Sequence, residues 1–431
     1  MSETHAHSVA YVRTETLPEL PPPASEAGLV KWLRENLFSS IPNGILTILS
    51  LWAIYMILAG VIPWITNGVW SASNIRECRE LLNGATGGCF AVIAERWPQL
   101  LFGIAYPQEA YWRPTLAFFL LPLAIAPVLF SNVPRQLLLF TLIYPFVAYW
   151  LLWGGSALVP IAAFGGLIVG YLAFGRLSSQ SFAMGLLGGV AAALISWWAF
   201  GFITDRTPNV WSIGAVASRD MGGFMLNMVL GTVCVSLSLP IGIVLALGRQ
   251  SDMLIIKWIC VLFIEFIRGV PLITLLFVAN VVLGYFFPPG TNQDLILRVI
   301  IMITLFSSAY IAEVIRGGLA ALPRGQYEAA DSLGLDYPQA MRLIILPQAL
   351  KISIPGIVNV AVGLFKDTTL VSVISMFDLV GAIRGPILAS TDWSGVYWEL
   401  WGFAALLFFV VCYSISQYSQ WLERKLATDH R

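Results

Sequence analysis

Tyr327 to Leu350 reads YEAADSLGLDYPQAMRLIILPQAL, a polar and charged stretch set between apolar ones. Its residue order predicts two short helices with a forced bend. Good helix formers run from Gln326 to Leu333, and Glu328 and Asp331 share one face at i, i+3. Gly334 supplies the left-handed residue that ends such a helix. Asp336 then caps a second helix, with Pro338 in its first turn, where a missing N–H costs nothing. Pro347 is expected to close that second helix. The expected product is a compact amphipathic hairpin at a membrane surface, with carboxylates near the N-terminus of its first helix.

Around this stretch the chain is apolar. Of 431 residues, 58% are hydrophobic and 11% charged, against about a quarter charged in an ordinary soluble domain; the mean hydropathy is +0.79. The fold class expected is therefore an all-α integral membrane protein. At about 20 apolar residues per crossing, the chain has room for about ten transmembrane helices. Spans are predicted near 43–65, 114–131, 137–154, 158–174, 181–203, 222–248, 258–286, 295–316, 352–374 and 398–420. Formal net charge is zero, so nothing points to nucleic acid as a partner, while membrane lipid is a partner throughout.

Residues 1–28 hold Pro18, Pro21, Pro22, Pro23, His5 and His7 without an apolar run of signal-peptide length. Residues 1–42 thus read as a polar cytoplasmic tail, and the first span as an uncleaved helix. Lys31 and Arg34 just before that span favour a cytoplasmic N-terminus. Ten spans then place Arg135, Arg176, Arg249, the whole 317–350 loop and the 421–431 tail in the cytoplasm. Outside would lie the loops 66–113 and 204–220. The 66–113 loop holds Cys78 and Cys89, and the spacing leaves open whether they pair or stay free thiols. Residues 43–221 read as an N-terminal extension of about five helices, and 222–420 as a core whose last five helices carry the quoted loop. Pro355, Gly363, Lys366, Asp367 and Gly381 interrupt the hydrophobic run of 355–397, which predicts one helix leading into a partly buried external segment. Trp150, Trp153, Trp197, Trp198, Trp398 and Trp401 fall near span ends, as interfacial anchors do.

The sequence offers little for catalysis. A phosphate-cradling Gly-x-x-x-x-Gly-Lys-[Ser/Thr] loop is absent, and none of Lys31, Lys257, Lys351, Lys366 and Lys425 follows a glycine. The three histidines, His5, His7 and His430, lie in the polar termini, which argues against a metal or acid–base site. No cofactor of its own, no metal and no enzyme activity are expected of this chain.

The order Glu328-Ala329-Ala330, then Gly334, then Ile344 or Ile345 with Leu346-Pro347, resembles the EAA loop of the permease subunits of bacterial binding-protein-dependent ABC importers. FIRGVPL (266–272), AYIAEVIRGGLAALPRGQYEAA (309–330) and LFKDTTLVSVI (364–374) resemble the polar amino-acid branch of that family, and the resemblance covers roughly 222–420. It implies a permease subunit for L-amino acids in the bacterial inner membrane. It further implies an ABC ATPase dimer that handles ATP and Mg²⁺, a second, different permease chain, a periplasmic amino-acid-binding protein and an amino-acid substrate. It gives Glu328, Ala329, Ala330, Asp331, Gly334, Leu346 and Pro347 the role of coupling the loop to the ATPase. On physical grounds, Glu328 can meet a basic residue of that partner, Ala329 and Ala330 allow close approach, and Gly334 allows the bend.

Charges within apolar spans usually have a partner or a task. Glu265 with Arg268 is expected where one core helix begins, Glu313 with Arg316 where another ends, each as an interfacial i, i+3 pair. Lys366-Asp367-Thr368-Thr369 lies deeper and is the candidate substrate pathway, since a zwitterion needs both signs. Adjacent residues on a helix point about 100° apart, so Lys366 and Asp367 face one ligand only if the helix is broken. Asn227, Asn280 and Asn359 read as interhelical hydrogen bonds, and Cys234, Cys260 and Cys412 as core residues. The alternative is an ion-coupled secondary amino-acid transporter in which Lys366, Asp367 or Glu265 relays protons; a docking hairpin has no use there.

Overall fold

A computed structural model describes residues 28–179, 181–206, 211–282, 285 and 294–426. Outside them lie residues 1–27 and 427–431 of the expected tails, part of the 204–220 loop and the end of the expected 258–286 span. The described residues fall into two units, one of residues 28–68 with 84–88 and one made of the rest from residue 69 on. The first holds α1 (Gly28–Asn36) and the apolar α2 (Ile41–Thr66). Ser40 caps α2 through the Asn43 N–H at 3.4 Å, and the Gly88 N–H closes on the Trp64 carbonyl at 2.8 Å.

The second unit begins with α3 (Ile75–Leu82) and α4 (Ala91–Phe102), and a disulfide ties Cys78 of α3 to Cys89 just ahead of α4, with a Cα separation of 6.2 Å. Spans α5 (Trp112–Leu129), α6 (Leu138–Trp153), α7 (Leu158–Leu177) and α8 (Phe182–Arg206) follow. Glycine lets α7 and α8 meet closely: a Cβ on Gly170 would stand 2.8 Å from the Ala193 Cβ and from the Gly189 carbonyl. Close backbone approach through small residues substitutes for hydrophobic drive inside a bilayer. Two short strands, β1 (Gly155–Ser156) and β2 (Ser212–Ile213), pair antiparallel between spans.

Then come α9 (Gly223–Arg249), α10 (Leu254–Gly269), α11 (Leu272–Phe277) and α12 (Leu295–Ala320). Next are α13 (Arg324–Ser332), α14 (Tyr337–Ala340), α15 (Leu346–Asp367), α16 (Leu379–Ala382) and α17 (Tyr397–Leu426). Among the described residues nine helices are long and apolar enough to cross a membrane, or ten if the bent α10–α11 pair is one crossing. The all-α multi-span class is thus observed.

Three local expectations need correction. The single span expected over 258–286 is broken: α10 and α11 meet at 101°. Pro271 forces this, because it lacks an N–H and drives the residue before it out of helical geometry, and Val270 is extended at φ −105°, ψ 131°. Pro347 does not close a helix. α14 runs through a wide π turn at Met341–Ile345 directly into α15, forming one helical stretch from Tyr337 to Ile374. The π turn supplies the slack that a proline ring would otherwise take from the preceding carbonyls. The crossing expected at 352–374 therefore starts well before residue 352.

Two buried clusters run across residue 221, the expected edge of the core. Phe102, Tyr106, Leu151 and Leu152 pack in one cluster with Met225, Leu226, Ile303 and Leu364. Cys78, Cys89, Val92 and Leu100 pack in another with Leu379, Ile383, Trp393 and Leu400. The segment after residue 374 is indeed partly buried, with Trp393 wholly enclosed.

Candidate functional site

α13 is the loop helix. Its C-terminus closes in two hydrogen bonds, Gly334 N–H to Asp331 O at 2.9 Å and Leu335 N–H to Ala330 O at 3.2 Å, with Gly334 at φ +71°. This is the double closure that a left-handed glycine permits. Asp336 then accepts the Gln339 N–H at 2.9 Å and starts α14. The helix begins at Arg324 behind Pro323, earlier than expected, so no acidic residue lies in its first turn. Glu328 sits past that turn and Asp331 near the other end.

The alanines divide. Ala330 is fully buried and, with Tyr327, faces the packed side of the loop. Ala329 is exposed beside Glu328, Asp331, Leu333 at 72% exposure and Tyr337 at 62%. Leu346 is partly buried and packs on the cluster that includes Ile315, Leu319, Met341 and Ile345, while Pro347 is exposed. Tyr327 packs on that same cluster, so the last turns of α12, α13 and the start of α15 share one core. A docked partner pushing on the exposed side would meet this core behind it.

One layer away, three arginines converge on Glu313 of α12. Arg249 of α9 reaches it at 2.8 Å, Arg316 at 3.0 Å and Arg268 of α10 at 3.5 Å; Arg249 also holds Glu265 at 2.9 Å. Arg268 lies over the Tyr310 ring, 5.5 Å from its centroid. The Glu313–Arg316 pair is as expected. Glu265 and Arg268 instead sit near the end of α10, and each answers to a different helix. Glu313, with its side chain 15% exposed, is thus the hub joining α9, α10 and α12.

The Lys366–Thr369 stretch sits where α15 tightens into a 3₁₀ turn over Thr368–Ile374. Lys366 is exposed and Asp367 half-buried. Thr368 is fully buried; its hydroxyl donates to Phe365 O at 2.7 Å and accepts from Asn227 Nδ2 at 2.9 Å. Thr369 donates to Lys366 O at 2.8 Å. Asn227 also donates to Asp378 Oδ2 at 3.1 Å and accepts the Leu379 N–H at 3.2 Å. Asp378 caps α16 through the Val380 and Gly381 N–H groups. Burial pushes the Asp378 carboxyl up to about 6, against the lowering pull of the Gly381, Asn227 and Val380 hydrogen bonds. Asn227 therefore makes interhelical bonds, as expected of it.

Asp378 escaped the sequence reading, although an Asp ahead of Leu-Val-Gly-Ala has the look of an N-cap. Glu399, which accepts the Cys89 N–H at 2.7 Å, and Arg113, which donates to Gly214 O at 2.6 Å, were also beyond it. Their partners are distant in sequence. Among the described residues no group of three His, Cys, Asp or Glu side chains could hold a metal ion.

Residues 238–428 match the family of the binding-protein-dependent transport system inner membrane component. A glutamate/glutamine/aspartate/asparagine transport system permease protein, BztC of Rhodobacter capsulatus, is 52% identical over 98% of this chain and 99% of its own length. The inner membrane amino-acid ABC transporter permease protein YhdY of Escherichia coli is 37% identical over 96% of this chain and 98% of its own. A probable glutamine ABC transporter permease protein of Bacillus subtilis, GlnM, is 32% identical, but covers only 49% of this chain while using 95% of itself. The long N-terminal half is thus shared with the first two relatives rather than being peculiar to this chain. These matches displace the ion-coupled carrier. The chain belongs to the amino-acid permease subunits of binding-protein-dependent ABC transporters, multi-pass inner-membrane proteins that form the channel while ATP is hydrolysed on partner chains.

Proposed function

We propose that this permease takes up acidic amino acids and their amides, and that α13 is the element through which its ATPase drives transport. The substrate range is suggested by the relative from Rhodobacter capsulatus, whose name specifies glutamate, glutamine, aspartate and asparagine and which is alike end to end. The observation that carries the coupling reading is the two-sided loop: Glu328, Ala329, Asp331 and Leu333 exposed, Ala330 buried, and Tyr327 packed on the core that also holds α12 and α15. Closure of an ATPase dimer on ATP and Mg²⁺ pulls the exposed side. The shared core, on which Leu346 packs ahead of Pro347, passes that displacement to the spans, with Gly334 keeping the bend between α13 and α14.

In this reading both termini and the 317–350 loop are cytoplasmic, residues 43–221 are an extension around the 222–420 core, and the partner permease is a different chain. A periplasmic binding protein delivers the amino acid to the outer loops. Of the candidate pathway residues, Lys366 and Asp367 are consecutive in α15 and point about 100° apart, and the Thr368 hydroxyl is buried against Phe365 and Asn227, so one charge, Lys366 or Asp367, together with Thr369, faces the substrate.

The test is purification from the native membrane with identification of bound chains, then uptake of labelled glutamate, glutamine, aspartate and asparagine into vesicles with ATP inside. Co-purified ATPase and binding protein with ATP-dependent uptake of these four are expected. A complex that ignores them while transporting basic or aromatic amino acids would refute the substrate range.

A further inference from the structure

Between the α5–α6 hairpin and the α9–α12 pair lies an apolar crevice of about 460 Å³, walled by Ala124, Tyr144 and Ala148 on one side and Val229, Thr232 and Leu237 on the other. Protein interiors otherwise pack as densely as organic crystals. A dry cavity of roughly 150 Å³ already takes up benzene. Sequence explains the gap. Pro122 and Pro127 lie inside α5 and Pro145 inside α6, and each removes a backbone hydrogen bond from its helix. The alanines on the wall then fill little of the space.

The hairpin is pinned at both ends. Arg113 at the start of α5 holds Gly214 O, and Leu151 and Leu152 pack with Met225 and Leu226. At the far end of α5, the Tyr418 hydroxyl donates to Leu129 O at 2.8 Å and Phe130 packs on Tyr418 and Trp421. The crevice lies between these ties.

Three of the wall hydroxyls are already engaged with backbone carbonyls. Thr141 donates to Ala124 O at 2.6 Å, Tyr144 to Ala117 O at 2.8 Å and Ser236 to Thr232 O at 2.7 Å. An amino-acid zwitterion would lose its hydration there without replacement. Water would fare no better, since a buried water needs two to four polar partners. The walls belong to helices that cross the membrane, so the material at hand is hydrocarbon.

We propose that this crevice binds one acyl chain of an anionic bilayer phospholipid, which completes the packing between the hairpin and the rest of the permease. Charge at one end fits the headgroup. Arg135 is exposed on the turn that opens α6, about two helical turns (~9 Å) before Thr141. Lys425 stands at the same end of α5, its Nζ 2.9 Å from Ser131 Oγ. Both cations can meet a phosphate at the membrane edge while the acyl chain runs inward.

The complete transporter, reconstituted in phosphatidylethanolamine–phosphatidylglycerol vesicles with a trace of phosphatidylglycerol carrying a mid-chain diazirine, is irradiated and its labelled peptides mapped. Adducts on segments 117–148 and 228–237 are expected to survive detergent exchange, while those at the exposed Tyr171 of α7 wash out. Ala124→Phe and Ala148→Phe, which fill the crevice, should lower wall labelling several-fold and leave Tyr171 labelled. Arg135→Gln should reduce labelling by phosphatidylglycerol more than labelling by a phosphatidylcholine probe, whose phosphate is offset by its choline cation. Wall labelling no stronger or longer-lived than that at Tyr171 would overturn the proposal, as would an Ala148→Cys cross-link to another protein chain. Lipid retention is read without transport, so its failure is distinct from failure of the coupling reading.

Discussion

Asn227 and Arg249 sit 22 residues apart on α9, about 33 Å along one helix, and the two ends are held by opposite chemistry. At the Arg249 end, three arginines share Glu313 in contacts that stay part-exposed. At the Asn227 end, Thr368 and Asp378 join it in a buried cluster of directed hydrogen bonds. An ion pair with access to water is worth little and can change partners cheaply. A buried hydrogen-bond network is costly to break, because each orphaned group pays its full desolvation. The Arg249 end is thus held by contacts that exchange at lower cost, and the Asn227 end by contacts that are costly to break.

The largest effect should come from the exposed side of α13. Glu328→Lys and Gly334→Asp are expected to abolish ATP-driven uptake, a loss of 100-fold or more at about 2.7 kcal/mol of lost coupling, with membrane insertion and thermal unfolding near wild type. Glu328 is exposed, and Asp tolerates the left-handed geometry of residue 334 at modest cost. Normal uptake in both variants would remove α13 from the mechanism.

At the Asn227 end, Asp378→Ala orphans the Val380 and Gly381 N–H groups and one N–H of the Asn227 amide, and should cost about 2–4 kcal/mol, read as a lowered unfolding midpoint in detergent. The same carboxyl gives a pH signature. Unfolded, it ionises near 4; folded, near 6. Between those values the folded state keeps a proton that the unfolded state gives up. Stability should therefore fall as pH rises from about 4 to 6, by about 3 kcal/mol at most, and level off above. Asp378→Asn should flatten that difference, which equal pH profiles for the two proteins would contradict.

The smallest effect belongs to the ionic hub. Glu313→Gln should cost about 1–2 kcal/mol, since the arginines keep some access to water. Raising salt should narrow the gap between variant and wild type. A gap that does not change with salt would mean that Glu313 acts as a packed, not an ionic, element.

The helical fold and the α13 bend were legible because they rest on local rules. Apolar length sets the spans, and Gly334 with Asp336 sets the turn. The errors lie where two rules compete. Pro271 broke a run that hydropathy alone made continuous, and Pro347 was absorbed by a π turn that periodicity does not foresee. The site was legible by half. Glu328 and Ala329 are exposed, as a docking face needs, but Ala330 looks the same in sequence and is buried. The Glu313 hub joins residues up to 64 positions apart, and the Asn227–Asp378 bond spans 151. Such pairings are decided by helix packing, which residue spacing along one helix does not report.

The most direct test of the central claim is cysteine cross-linking from Ala329→Cys in the native complex, with Tyr171→Cys as the membrane-facing control. A cross-link from residue 329 to the ATPase chain, changing in yield between nucleotide-free and ATP-trapped states and absent from residue 171, is the predicted result. An Ala329→Cys complex that transports normally and never cross-links to the ATPase in either state would contradict it.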